Sequence, residues 1–158
     1  MKVEPVSQHQ WLQQFCGSWT YQHSCLTGPD SPPSVSTGKT TVASVGELWI
    51  QMISEFEMEP GKQEQSIITL GYDPARGAFV GTFIASMMYK LWLYEGQLDS
   101  ASRVLTLKAE GPNFTGDGNA NYEDIIELVD SNSFRFRSRI QNKDGSWTQF
   151  MDGTYHRA

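Results

Sequence analysis

The sequence predicts an all-β protein: a single antiparallel up-and-down β-barrel of about ten strands with a short N-terminal helix. One helical segment precedes Phe15-Cys16-Gly17-Ser18-Trp19, where the apolar period changes from that of a helix to the period of two typical of strands. Strand-like segments then follow one another to the end of the chain. Most of the turns between them are too short for the crossovers that parallel strands need. An antiparallel barrel that usually encloses something is therefore expected.

The helix is predicted over residues 7–16, with Ser7 as its N-cap and Gly17 as its stop signal. One face of this segment carries three large apolar side chains, those of Trp11, Leu12 and Phe15. Such a face packs against a core, and a short helix beside a barrel can cover one of its ends. We therefore expect the helix to plug one end of the barrel.

The barrel itself is predicted over residues 18–157 of one domain that spans residues 1–158. The expected strands cover residues 18–26, 36–44, 48–58, 66–72, 78–87, 90–98, 104–109, 122–129, 134–141 and 146–155. Asp73-Pro74-Ala75-Arg76-Gly77 marks a hairpin turn, because proline comes early in it and glycine late. Residues 110–119 form a glycine-rich loop, and residues 27–33, with three of the 7 prolines, are expected to be the least ordered internal segment.

Composition excludes several classes of partner. The net charge of the 158 residues is −6, so the basic surface that nucleic acid or an anionic membrane requires is not expected. The chain starts without the apolar run of a secretion signal, and no apolar segment approaches the ~20 residues that span a bilayer. We therefore expect a cytoplasmic protein, in which Cys16 and Cys25 stay reduced.

Short motifs that resemble one family are spread over nearly the whole chain. They are His9-Gln10-Trp11-Leu12, Gly17-Ser18-Trp19, Leu70-Gly71-Tyr72-Asp73-Pro74, Phe79-Val80-Gly81-Thr82, Leu91-Trp92-Leu93-Tyr94-Glu95-Gly96, Leu105-Thr106-Leu107, Glu110-Gly111-Pro112 and Phe150-Met151. In these motifs the chain resembles the uncharacterised bacterial family known as DUF1579. The glycine and tryptophan after a short helix also resemble the calycin group of lipocalins and fatty-acid-binding proteins. The resemblance implies a calycin-like barrel but no established activity, so no functional residue is carried over.

Two related groups of barrels suggest ligands that this chain supports poorly. Nitrobindins hold heme iron with a histidine late in the chain, and His156 is the only late histidine here. Fatty-acid-binding proteins grip a carboxylate with Arg-x-Tyr near the end, whereas this chain ends in Thr154-Tyr155-His156-Arg157-Ala158. Heme binding is thus a minor alternative, the fatty-acid interpretation is weakened, and no cofactor is predicted.

The alternation of inward and outward side chains along the first predicted strand indicates which residues line the candidate pocket. If Trp19 points into the barrel, a period of two sends Tyr21, His23 and Cys25 inward as well. The alternative is a bulge that turns His23 to solvent or a histidine satisfied within a packed core. Aromatic residues are frequent along the later strands too. The predicted ligand-binding residues are Trp19, Tyr21, His23, Trp92 and Tyr122.

Other residues with chemical potential are predicted to be structural. Arg135, Arg137 and Arg139 are expected to form a solvated stripe, with Phe134, Phe136 and Ile140 facing inward on the same strand. His23 and His156 lie on the first and last strands, which are neighbours in a closed barrel, so we expect that they can approach each other. Without further ligands at metal-binding spacing, no metal site is predicted.

No catalytic residue is predicted either, since Glu123 and Asp124 are adjacent and point to opposite faces of a strand. Asp117 and Asn119 suit either a weak calcium site or an ordinary glycine-rich turn.

The leading functional hypothesis is non-enzymatic binding of a small, largely apolar molecule inside the barrel. This interpretation rests on architecture and aromatic content, and in part on analogy between folds. One alternative is an enzyme that uses the same cavity, with His23 as general base or Tyr21 as acid. Another is an interaction module with a solid core that works through its surface or as a homodimer.

Overall fold

Ten antiparallel strands close into an up-and-down barrel in the computed structural model, which describes residues 3–26, 28 and 30–158. The elements are α1 (Ser7–Gln13), β1 (Gly17–Cys25), β2 (Ser34–Val45), β3 (Trp49–Glu59), β4 (Lys62–Asp73), β5 (Ala78–Ala85), β6 (Trp92–Leu98), β7 (Val104–Pro112), β8 (Asn119–Asp130), β9 (Ser133–Gln141) and β10 (Trp147–Arg157). The predicted fold class is confirmed.

Closure joins the two ends of the chain. Strand β1 pairs with β2 on one side and with β10 on the other, so that Tyr21 lies opposite both Gly38 and Tyr155. All other strands pair with their neighbours in sequence. Because the sheet closes on itself, its strands are paired on both sides over most of their length.

The N-terminal helix differs from the prediction at both ends. Its N-cap is Val6, and Ser7 is already the first helical residue. The imidazole Nδ1 of His9 accepts the Val6 N–H at 3.0 Å, so the histidine caps the helix and the predicted Ser7 cap is wrong. The helix ends at Gln13 rather than Cys16, and a turn leads to Gly17, whose φ of +132° favours glycine. No described helix is long and apolar enough to cross a membrane.

Large apolar side chains fill the end of the barrel beside α1, which packs against β3 and β4. Trp19 is 1% exposed there; its ring meets Phe134 edge to face at 4.7 Å, and its Nε1 donates to the Phe15 carbonyl at 2.8 Å. The other large, fully buried side chains of this closed end are Leu12, Phe15, Ile50, Leu70, Phe79, Leu105 and Phe134. The helix therefore does plug one end, and that half of the interior is solidly packed.

The outer face of β8, β9 and β10 carries the predicted arginine stripe. Arg135 pairs with Asp152 at 2.8 Å, and Arg137 pairs with Glu127 at 3.3 Å. Arg139 binds Glu123. Alternate residues of β9, including Phe134 and Phe136, are buried inside, so the predicted orientation of this strand is confirmed.

Strand ends differ from the prediction where pairing continues past turn-forming residues. The turn at residues 73–77 forms as expected, with the Asp73 carboxylate accepting the Ala75 N–H at 2.9 Å. The predicted loop over residues 110–119 is shorter, because Pro112 pairs with Asn119 and extends β7 and β8. Within the proline-rich segment 27–33, Thr27 and Pro29 lie outside the described residues.

The packing of Trp19 predicts a large effect on stability. Trp19→Ala removes a fully buried ring and the hydrogen bond that ties the turn after α1 to β1, so we expect a loss of about 3–5 kcal/mol. Trp19→Phe keeps an aromatic ring at this site, so its free energy of unfolding should lie between those of wild type and Trp19→Ala. Urea unfolding followed by circular dichroism measures both. Trp49→Ala, at a site 40% exposed, is the control; an equal loss there would contradict the assignment of Trp19 to the packed core.

Candidate functional site

The predicted parity of the first strand is correct. No register shift interrupts the pairing of β1 with β2 or β10 along Gly17–Cys25. Trp19 and Tyr21 are buried, and His23 continues the same inward face as a half-buried side chain. The bulge that would have turned His23 to solvent is therefore ruled out along this strand.

Glycines on the neighbouring strands make room for these rings. A Cβ atom at Gly38 would lie 2.3 Å from the Tyr21 hydroxyl oxygen, and one at Gly153 would lie 2.5 Å from the His23 ring. Both contacts are far shorter than any real carbon contact. The two rings thus lie flat against the barrel wall, over positions where only glycine fits. The sequence shows the glycines but not the rings they face, since register decides that.

His23 forms a hydrogen-bonded pair with the last strand. Its Nε2 lies 2.8 Å from the Tyr155 hydroxyl, and Tyr21 stacks on Tyr155 at 5.0 Å. Burial lowers the pKa of His23 to about 4 and raises the pKa of Tyr21 to about 12. Burial also raises the pKa of Tyr155 well above its ordinary value. At neutral pH this wall of the lumen is aromatic, polar and uncharged.

Asp124 brings a carboxyl group into the same interior. It faces inward on β8, where the Ser138 hydroxyl donates to one of its oxygens at 2.5 Å and the Tyr94 hydroxyl donates to the other. Burial raises the pKa of Asp124, while these two hydrogen bonds lower it. By surface area Asp124 is half-buried, although it faces the barrel interior.

Sequence reasoning placed Glu123 and Asp124 on opposite faces but did not identify Asp124 as part of the site. The two residues are equivalent candidates in the sequence. In the structure Glu123 faces outward to Arg139 and Asp124 faces the lumen. The inward position of Tyr122, two residues earlier, is the only signal that could have selected Asp124.

A row of small side chains faces the lumen across four neighbouring strands. Thr40 is opposite Ser54, Ser54 is opposite Ser66, and Ser66 is opposite Ala85. Thr40 is covered where the row meets the closed end, whereas Ser54 and Ser66 remain half-buried. Because these side chains are small, in contrast to the large ones beside α1, and Ser54 and Ser66 keep accessible surface, this is the less tightly packed, open half of the barrel.

Trp92 and Tyr122, the other two predicted residues, contact each other near the end of the barrel opposite α1, which we call the mouth. Trp92 and Tyr122 pack edge to face at 5.0 Å, and the Tyr122 hydroxyl donates to the Pro112 carbonyl at 2.5 Å. The buried Trp92 Nε1 has no hydrogen-bond partner among the described residues. Beside them, Phe114 is 68% exposed. The five predicted residues therefore fall into three places: Trp19 at the closed end, Tyr21 and His23 on one wall, and Trp92 and Tyr122 at the mouth.

A groove of about 750 Å³ lies on the outside of the barrel rather than in the lumen, because most of its lining residues, including Glu95, Lys108 and Glu123, face outward. It crosses the point where β6 and β7 part. Their pairing ends at Glu95 and Lys108, and beyond it residues 92–94 and 109–112 pair only with β5 and β8. Inward-facing residues, among them Tyr94 and Tyr122, join the groove lining there.

His23 and His156 do not approach each other, although they lie on the neighbouring strands β1 and β10. His156 is exposed and lies opposite Thr20, on the outer face, whereas His23 faces inward. The predicted approach is therefore wrong, because an even and an odd position on paired strands point to opposite sides. His156 also points away from any heme in the lumen.

The remaining metal-ligand candidates are separate from one another. No group of three or more His, Cys, Asp and Glu side chains suited to a metal occurs within the described ranges. Cys16 and Cys25 are free thiols. Asp117 accepts hydrogen bonds from Asn113 and Thr115 within its own loop, which fits the turn interpretation.

Comparison with known proteins agrees with this architecture. The family model described as "Protein of unknown function (DUF1579)" matches residues 4–157. The chain belongs to the DUF1579 family. No curated protein matches this chain.

Solved structures show that the fold of this DUF1579 protein is shared by barrels of very different sequence. Rv2717c from M. tuberculosis is similar with a TM-score of 0.68 at 14% identity, over 98% of this chain and 99% of that one. EF1p2_mFAP2b bound to DFHBI is similar with a TM-score of 0.52 at 12% identity, over 96% and 100%. A redesigned β-barrel, b11L5F_LGL, is similar with a TM-score of 0.51 at 10% identity, over 99% of each chain. At these identities the likeness concerns the fold alone.

Burial of His23 predicts a defined pH dependence of stability. The folded protein keeps the imidazole neutral down to about pH 4, whereas the unfolded chain protonates near its ordinary pKa of 6.5. The unfolded state therefore binds more protons in this window. Through His23 the fold should lose up to about 3 kcal/mol as the pH falls from 6.5 to 4.

Urea unfolding at several pH values measures this effect in wild type and in His23→Gln, which should lose most of that slope. The exposed His156→Gln is the matched control and should behave as wild type. Identical slopes in wild type and His23→Gln would contradict a neutral, buried His23.

Proposed function

We propose that this DUF1579 protein binds a small, largely apolar molecule in the open half of its barrel and acts as a binding protein rather than as an enzyme. The observation that carries the proposal is the division of the interior. Large, fully buried side chains fill the end beside α1, whereas inward side chains of the other half, such as Ser54, Ser66 and Phe83, are small or only half-buried. An apolar cavity with a few fixed polar groups is the usual small-molecule site.

The proposed contacts follow from the walls of this space. Tyr21 and His23 supply a flat aromatic surface, Trp92 and Tyr122 supply the mouth, and Trp19 forms the floor. Phe56, Phe83 and Met151 add half-buried apolar surface around them. A barrel of similar fold, EF1p2_mFAP2b, is bound to the ligand DFHBI, which supports a binding role for this architecture.

Binding is favoured over the two alternatives by the state of the polar groups. A solid-core interaction module would leave Asp124 without accessible surface, and Asp124 keeps some. The polar groups of the wall are bonded to one another: His23 Nε2 to the Tyr155 hydroxyl, and Asp124 to the hydroxyls of Tyr94 and Ser138. These pairs hold the wall in one geometry, as suits a preorganised binding site.

A large side chain placed in the lumen should weaken the binding of an apolar ligand. Ser66→Phe puts a ring into the row of small side chains, so we expect binding of the uncharged dye Nile red to weaken at least about tenfold, as space for the dye is lost. Fluorescence titration measures the dissociation constant, and circular dichroism verifies the fold.

Gln65→Phe is the matched control, because Gln65 is the adjacent residue on the outer face and is exposed. It should bind the dye as wild type does. Loss of binding in Gln65→Phe but not in Ser66→Phe would move the site to the outside of the barrel. Wild-type protein that binds no dye at all would contradict the proposal itself.

A further inference from the structure

The lumen of this barrel has an unequal distribution of charge. Two carboxyl groups face inward: Asp124 deep in the barrel and Glu64 at the rim, where Lys62 and Ser86 bind it. The basic side chains of β9 point outward to acidic partners, and Lys39 and Lys108 are exposed on outer faces. In the part of the chain that the structure describes, Lys62 shares the inward face of β4 with Glu64 and is bound to it at the rim, and no lysine or arginine lies on an inward face deeper in the open half.

Asp124 has hydrogen-bonding capacity left in this space. Each of its two oxygens accepts one hydrogen bond, from Ser138 or from Tyr94, although a carboxylate oxygen can accept about two. Both existing partners are donors. A further partner must therefore also donate, and the accessible surface of Asp124 leaves it room to approach from the lumen.

The surroundings of Asp124 suit a cation better than a neutral donor. Tyr94 donates its hydroxyl to the carboxylate, and Tyr122 lies two residues before Asp124 on the same face of β8, so aromatic rings lie beside it. Aromatic faces attract cations, and a buried carboxylate without a cationic partner is costly. A protonated amine in this position would contact the aromatic faces and would also give the buried carboxylate a cationic partner.

We propose that the ligand of this barrel is an amine on an apolar body, and that Asp124 accepts a hydrogen bond from its ammonium group. This inference rests on the proposed function and narrows it to a ligand class. The apolar body would occupy the open half between the small side chains of β2–β5 and the rings at the mouth. The same geometry disfavours fatty acids, because their carboxylate would meet that of Asp124 with no basic side chain to separate them.

Three probes of equal chain length and different head group test this: octylamine, 1-octanol and sodium octanoate. Isothermal titration calorimetry at neutral pH gives each dissociation constant for the wild-type protein. Octylamine should bind at least about tenfold more tightly than octanoate, with octanol in between, since the tail is constant and only the head group meets Asp124.

Asp124→Asn keeps the size of the side chain and removes its charge. It should weaken octylamine binding by at least about tenfold, leave octanol binding within about twofold, and raise the urea midpoint, because a buried carboxyl is removed. Glu123→Gln is the control: it changes the neighbouring carboxyl on the outer face and should leave all three affinities unchanged.

The outcomes separate this inference from the proposed function. Octanoate that binds as tightly as octylamine to wild type would overturn the amine assignment, even if Asp124→Asn failed to fold. Equal weakening of octylamine and octanol in Asp124→Asn would also overturn it, since the residue would then only maintain the cavity. If neither octanol nor Nile red bound the wild-type protein, the proposed function itself would fail.

Discussion

The pairing of β1 with β10 is the constraint on which the rest of the structure depends. It closes the barrel and brings together residues from opposite ends of the chain, so that Tyr21 faces Tyr155 and His23 faces Gly153. With this register, the His23 imidazole reaches the Tyr155 hydroxyl while its ring rests on a glycine. A slip by one residue would turn every inward side chain of β1 to solvent. The closure of the barrel and the arrangement of the polar groups on its inner wall therefore depend on the same register.

Closure also divides the interior into two halves with different roles. Beside α1, aromatic rings and aliphatic side chains pack around Trp19 and form the core of the barrel. Toward the other end, small side chains such as Ser54 and Ser66 and half-buried rings such as Phe56 and Phe83 face inward, so this half is packed less tightly. The outer salt bridges of β9 keep charge away from this space, which leaves Asp124 as the deep charge-bearing group of the lumen. A protein that only needed stability would have filled this half and omitted a buried carboxyl.

Much of this architecture follows from local patterns in the sequence. The glycine and tryptophan after a short helix, the turn at residues 73–77 and the alternation of β9 predicted the fold and the orientation of Phe134 correctly. The parity of β1 was predicted too, because period two fixes every residue once Trp19 is placed. What local patterns do not contain is the pairing between distant strands. The partnership of His23 with Tyr155, the inward position of Asp124 and the outward position of His156 all depend on register.

The central claim is that the open half of the barrel is an accessible pocket that holds ligands. A ¹H–¹⁵N chemical-shift titration of the labelled protein with 1-octanol tests it most directly, because it locates the ligand without any substitution. The claim predicts saturable shifts at lumen residues such as His23, Ser66 and Asp124, with the closed end around Leu105 unchanged. Shifts confined to the outer groove, at Glu95 and Lys108, or the absence of any saturable shift, would contradict it.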